Sequence, residues 1–138
     1  MLEELREQSV AIAVNAEWPR GIGSSIRVGV ARLLDLQPSL SRLILILCDQ
    51  PHVTASTLTC LARAQHESNK PVCVSRFNNT IGPPVLIAQP VIPLLLDLPG
   101  ASGAKAIWEK HPELLAYVDC PEAATDIDRP EDWPPAEP

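Results

Sequence analysis

Aromatic residues are scarce in this 138-residue chain, making up 4% of it, and its three tryptophans, one tyrosine and one phenylalanine are dispersed. Nothing in that distribution builds the stacking ladder used by binders of single-stranded nucleic acid. Basic residues are also outnumbered: 11 Lys and Arg stand against 17 Asp and Glu, for a formal net charge of −6. A polyphosphate partner needs basic stripes, so DNA and RNA are excluded. The cysteines, Cys48, Cys60, Cys73 and Cys120, form no C-x-x-C pair and have no histidine at metal-ligand spacing. They read as buried thiols rather than a zinc site. The longest apolar runs, residues 43–48 and 91–96, fall short of the roughly 20 residues a membrane span requires. No secretory leader is read at the start, and the expected location is the cytoplasm, with no membrane partner.

What is present suits one folded domain. A hydrophobic fraction of 46% supplies a core, and 15 prolines set sharp loop boundaries. The expected organisation is a single domain over residues 1–138, with 134–138 as a disordered, proline-rich tail.

The most informative stretch is Leu43-Ile44-Leu45-Ile46-Leu47-Cys48, which ends in Asp49-Gln50-Pro51. A run apolar on both faces predicts a buried strand of a mostly parallel sheet, and in open α/β sheets ligands sit beyond the carboxyl ends of such strands. Asp49 falls at that end. The same tripeptide also reads as a plain polar turn. Val10–Val14 predicts a second buried strand, followed by a glycine-bearing loop over 18–23. Ser24 or Ser25 can then cap a helix in which Ile26, Val30, Leu33 and Leu34 recur at helical spacing. Thr54 predicts the cap of a helix from Ala55 to about Glu67, and Val72–Ser75 a strand. The order is βαβαβ. The second half reads as a turn over 77–82, an extended piece over 83–87, helices over 91–96 and 104–110, an extended piece over 114–118 and a polar turn over 126–133. Trp18, Trp108 and Trp133 are expected as packing anchors, and His52, His66 and His111 carry no chemistry.

Four segments agree with one family in order and spacing: Asn15-Ala16-Glu17-Trp18 with Gly21 to Gly29; Asp49-Gln50-Pro51; Gly82-Pro83-Pro84-Val85-Leu86 with Gly100 to Lys105; and Asp126-Ile127-Asp128-Arg129-Pro130-Glu131-Asp132. The chain resembles the MobA-like nucleotidyltransferases and, within them, the molybdenum cofactor cytidylyltransferases. The resemblance implies a Rossmann-like, three-layer αβα domain that moves a nucleotidyl group from a nucleoside triphosphate, CTP ahead of GTP or ATP, to molybdopterin. Pyrophosphate is released and Mg²⁺ is required. In-line attack on the α-phosphorus asks for charge neutralisation and alignment rather than covalent help. Mg²⁺ prefers one or two carboxylates plus phosphate oxygens and water, which suits Asp49 and Asp128 as catalytic, metal-holding residues, with Asp126 a close rival. The resemblance further implies that Asn15, Ser25 and Gly29 meet the nucleotide, and that Gly82, Pro84 and Lys105 meet the acceptor.

Departures from the family pattern are specific. Arg129 stands where threonine is frequent, Pro83 where a polar or small residue is frequent, and Ala101 where aspartate is usual. The family's opening strand and its glycine-rich triphosphate loop have no counterpart here, so an N-terminally truncated domain lacking its first βα unit is expected. Two outcomes follow: a shortened transferase, or a catalytically inactive homologue serving as a binding or assembly partner in cofactor maturation. An uncovered apolar strand edge also favours a homodimer.

Overall fold

Local signals account for most of the elements in the structure, a computed structural model that describes residue 5 and residues 8–132. Helix α1 spans Ile22–Leu36, and strand β1 is Arg42–Leu45. Helix α2, Ala55–Ser68, opens on a capping box in which the side chains of Thr54 and Thr57 reciprocally serve each other's backbone, and closes on Asn69 in the left-handed conformation. Strands β2, Val72–Phe77, and β3, Thr80–Ala88, form a hairpin. Its two-residue loop is Asn78-Asn79, both at positive φ (46° and 58°), the geometry that matches strand twist. Short helices α3, Ile92–Leu96, and α4, Lys105–Lys110, precede strand β4, Leu115–Asp119.

The sheet order is β1-β3-β2-β4. β3 runs antiparallel to both its neighbours while β2 and β4 are parallel, so three of the four strands point the same way with β3 reversed among them. Period-two alternation sends Val72, Val74, Val85 and Ile87 to one face, where they pack with Val30, Leu95 and Trp108. Cys73 and Leu86 go to the other face, against Leu61 of α2. Both faces are covered, which is the expected three-layer, Rossmann-like α/β arrangement. Each fully buried Leu, Ile or Val contributes about 1.5–3 kcal/mol.

The ladder between β2 and β3 slips between Val74 and Ser75, whose partners are Val85 and Gly82. Pro83 and Pro84 occupy the slip. Proline has no N–H to give a ladder, so a bulge is how a strand paired on both sides tolerates two of them. The buried Ser75 Oγ donates to the Pro84 carbonyl at 2.7 Å and satisfies one acceptor left there.

Several expectations are corrected. Val10–Val14 forms no strand: Val10, Ile12 and Val14 are 55%, 42% and 78% exposed, and no ladder reaches them among the described residues. Apolar composition provides a strand's faces but not its hydrogen-bonding neighbour. The run beginning at Leu43 is not a buried strand throughout. β1 ends at Leu45, pairs among the described residues only with β3, and leaves Ile46, Leu47 and Cys48 exposed. Neither Ser24 nor Ser25 caps α1. The helix starts at Ile22 after Gly21, which holds φ +105°, and both serines lie inside the first turns. Trp108 is the packing anchor expected, at 1% exposure, whereas Trp18 is 70% exposed. Trp133 and the proposed tail at 134–138 lie outside the described residues. Among the described residues no helix is long and apolar enough to cross a membrane.

Candidate active site

Two loops that the sequence presents as ligand-binding segments are bolted to each other. Gly23 N donates to the Gly100 carbonyl at 2.9 Å. A Cβ at Gly21 would lie 2.6 Å from Gly100 O, one at Gly100 would lie 2.7 Å from Arg20 O, and one at Gly23 would strike the carbonyls of Pro99 and Ser102. These glycines serve the close approach of two backbones. Gly29 differs, with open space where its Cβ would be. An Arg27–Leu98 carbonyl hydrogen bond adds a further tie between α1 and the loop after α3.

Between α1, β1 and the β3 bulge lies a predominantly apolar cleft of about 550 Å³. Ser25, Gly29, Gly82 and Lys105 line it, so the structure brings together four of the sequence-derived site residues. Asn15 joins them indirectly. Its Nδ2 donates to Ser24 Oγ at 2.8 Å and Ser25 Oγ at 3.0 Å, while its Oδ1 accepts from Glu17 N at 2.9 Å. Ser24 is buried and taken up by local bonds, including one to the Gly21 carbonyl at 2.7 Å, which leaves Ser25 as the hydroxyl on the cleft. Lys105 Nζ donates to Thr80 Oγ1 at 2.8 Å and remains half exposed. Pro84 is fully buried and is not among the cleft-lining residues, whereas Pro83 beside it is.

The carboxylates sit past the end of β1. Ile127 N donates to the Asp49 carbonyl at 2.9 Å, so the loop carrying Asp126 and Asp128 meets Asp49 although the two are far apart in sequence. Asp126 and Asp128 flank that contact and are exposed. Asp132 shapes the turn, its Oδ2 accepting from the backbone N of Asp128 (3.2 Å) and Arg129 (2.9 Å). Asp49 Oδ1 is buried without a hydrogen-bond partner among the described residues. A carboxylate oxygen withdrawn from water with no donor is costly, and a cation would relieve it. Among the described residues no three His, Cys, Asp or Glu side chains form a metal cluster. Mg²⁺ takes few carboxylates and completes its octahedron with water and phosphate oxygens. The residues present therefore fit a divalent ion held from Asp49.

Sequence reasoning passed over one residue here. Gln50 is 6% exposed, and its Nε2 donates to the carbonyls of Ala123 (2.9 Å) and Pro83 (3.3 Å). An amide between an acid and a proline looks like turn chemistry, and only its three-dimensional partners show otherwise.

The expectation of four buried thiols is corrected: Cys60 on α2 is only partly buried, and the others divide by environment. Cys48, next to Asp49, is exposed, while Cys73 and Cys120 are buried. Burial pushes the Cys73 thiol up to about 11 and raises that of Cys120 as well. Since the thiolate is the nucleophile, iodoacetamide at pH 8 should modify Cys48 readily and leave Cys73 and Cys120 intact, as peptide mass mapping would read. Modification of Cys73 as fast as Cys48 would contradict this burial.

An α/β sheet that brings an acidic loop to Asp49, beyond the carboxyl end of β1, places the candidate site where open α/β sheets bind their ligands. The MobA-like NTP transferase domain family matches residues 1–114, and the chain belongs to that family. No curated protein matches it. Among solved structures it is similar to the Mycobacterium sp. strain JC1 homologue of Mycobacterium tuberculosis Rv0371c, at 24% identity and TM-score 0.58, covering 81% of this chain and 54% of that one. Rv0371c of M. tuberculosis H37Rv matches at 25% identity and TM-score 0.57 over 80% of this chain and 56% of its own. Its complex with manganese matches at 26% and 0.54, covering 78% and 56%. The chain thus spans about half the length of these neighbours.

Proposed function

We propose that this single domain over residues 1–138 is a nucleotidyltransferase that moves CMP from CTP to molybdopterin, with Mg²⁺ bound by Asp49 and Asp128. The carrying observation is the Ile127 N to Asp49 carbonyl bond, which joins the acidic loop to the strand end beside an unpartnered Asp49 oxygen. In this reading a phosphate oxygen of the acceptor attacks the α-phosphorus, the bond to the bridging oxygen breaks, and pyrophosphate leaves with the electron pair. The divalent ion supplies neutralisation of phosphate charge. Asn15 orients Ser25, Ser25 and Gly29 receive the nucleotide, Lys105 attracts phosphate, and the Gly82 and Pro84 segment borders the acceptor. Divalent metal use is supported by the manganese complex of Rv0371c.

The test is pyrophosphate release by the purified chain with molybdopterin, Mg²⁺ and each of CTP, GTP and ATP. Release with CTP well above the other two is expected, and no release with any nucleotide overturns the activity. A second reading is favoured by the β1 edge, unpaired among the described residues, and the exposed Ile46 and Leu47: an inactive homologue that acts as an assembly partner and forms a homodimer along that edge in the cytoplasm. A CTP-silent chain that sediments as a dimer at micromolar concentration would select it.

A further inference from the structure

We infer that Gln50 is a positioning residue that fixes the metal-side carboxylate relative to both the acidic loop and the acceptor-side bulge, an inference that rests on the function proposed above. Through its one side chain, Gln50 joins these three segments. An NH₂ group has two hydrogens, and both are committed, one to Ala123 and one to Pro83. Ala123 leads into the loop of Asp126 and Asp128, and Pro83 belongs to the wall of the cleft. The preceding residue adds the third tie, because the Asp49 carbonyl accepts from Ile127 N.

The amide's orientation is dictated. Turned over, its oxygen would face two carbonyl oxygens. In the orientation present, Oε1 is buried and has no partner among the described residues. A core position filled only for packing would hold an apolar side chain and avoid that orphan acceptor. What the amide provides instead is a pair of directed bonds that set the distance between two halves of a site. A misplacement of about 1 Å at such a site can cost about a hundredfold in rate. Gln50 is placed to touch neither nucleotide nor acceptor; it acts through the segments it holds.

The experiment compares the full chain with Gln50→Leu, Gln50→Glu and Asp49→Asn. One readout is amide hydrogen exchange at Ile127, which is independent of activity; the other is Mn²⁺ affinity, read as free Mn²⁺ by electron paramagnetic resonance. Gln50→Leu should speed Ile127 exchange at least about tenfold and weaken Mn²⁺ by about tenfold, the range typical of groups that orient a metal ligand. Gln50→Glu keeps length and volume but sets acceptors against acceptors, and should do the same. Core amides such as Leu86 should be unchanged in both. Ile127 exchange that stays at the wild-type rate in both variants overturns the inference while leaving the metal reading intact. Unchanged Mn²⁺ affinity with faster exchange also overturns it, because the role is then structural alone. Wild-type protein that binds no Mn²⁺ overturns the metal reading and the positioning role with it, whereas Mn²⁺ binding lost only in Asp49→Asn secures the former.

Discussion

Asp49→Asn should lose metal-dependent nucleotide binding by more than about a hundredfold, since groups that merely orient a metal ligand are already worth about 10- to 100-fold. The substitution preserves shape and the backbone carbonyl that receives Ile127 N, and replaces a charged acceptor oxygen with a neutral NH₂ donor. Its effect on stability should have the opposite sign or none. Asp49 Oδ1 is buried with no donor among the described residues, so the substitution removes no hydrogen bond made there by that oxygen. Calorimetric titration of CTP with Mg²⁺, paired with a thermal melt, measures both. Equal heats from native and variant protein would remove Asp49 from the metal site. Running Asp126→Asn and Asp128→Asn beside it decides which of the two exposed acids completes the pair, and the proposal expects the larger loss at Asp128.

Gly23→Ala should be the most damaging single methyl group in the molecule. The added carbon would lie 2.5 Å from the Ser102 carbonyl oxygen and closer still to that of Pro99, both backbone atoms in a loop that Gly23 N also anchors. Relief requires α1 and the loop at 99–103 to separate, which we expect to cost about 3 kcal/mol or more. For a chain of this size the thermal midpoint should fall by roughly 10 °C. Gly29→Ala is the control: open space receives its methyl, and a helix interior gains roughly 0.5–1 kcal/mol from losing a glycine. If Gly23→Ala melts with Gly29→Ala, the loop–loop contact is not the constraint described.

These two glycines show where the sequence was legible and where it was not. Thr54 announced α2 because capping is a local event, decided within one helical turn. Asp49 was legible as an acid beyond a strand because an apolar run leads to it, although the strand itself stops at Leu45. The glycines over 21–29 and at Gly100 suggested room for a ligand, yet Gly21, Gly23 and Gly100 make room for each other, a pairing that no local pattern encodes. Val10–Val14 failed for a related reason, since a strand is completed by its neighbour. The reversal of β3 was hidden as well: Asn78-Asn79 is the turn signal, but the two prolines downstream argue against a strand paired on both sides until the bulge is seen. Gln50 was unreadable because its partners lie 33 and 73 residues away.

The Pro83-Pro84 bulge ties together positions that look independent. The carbonyls of Pro83 and Pro84, at the slip, accept from the Gln50 amide and the Ser75 hydroxyl. Mutational drift at any of these four places is therefore shackled to the other three, and the quartet can be exchanged only as a block.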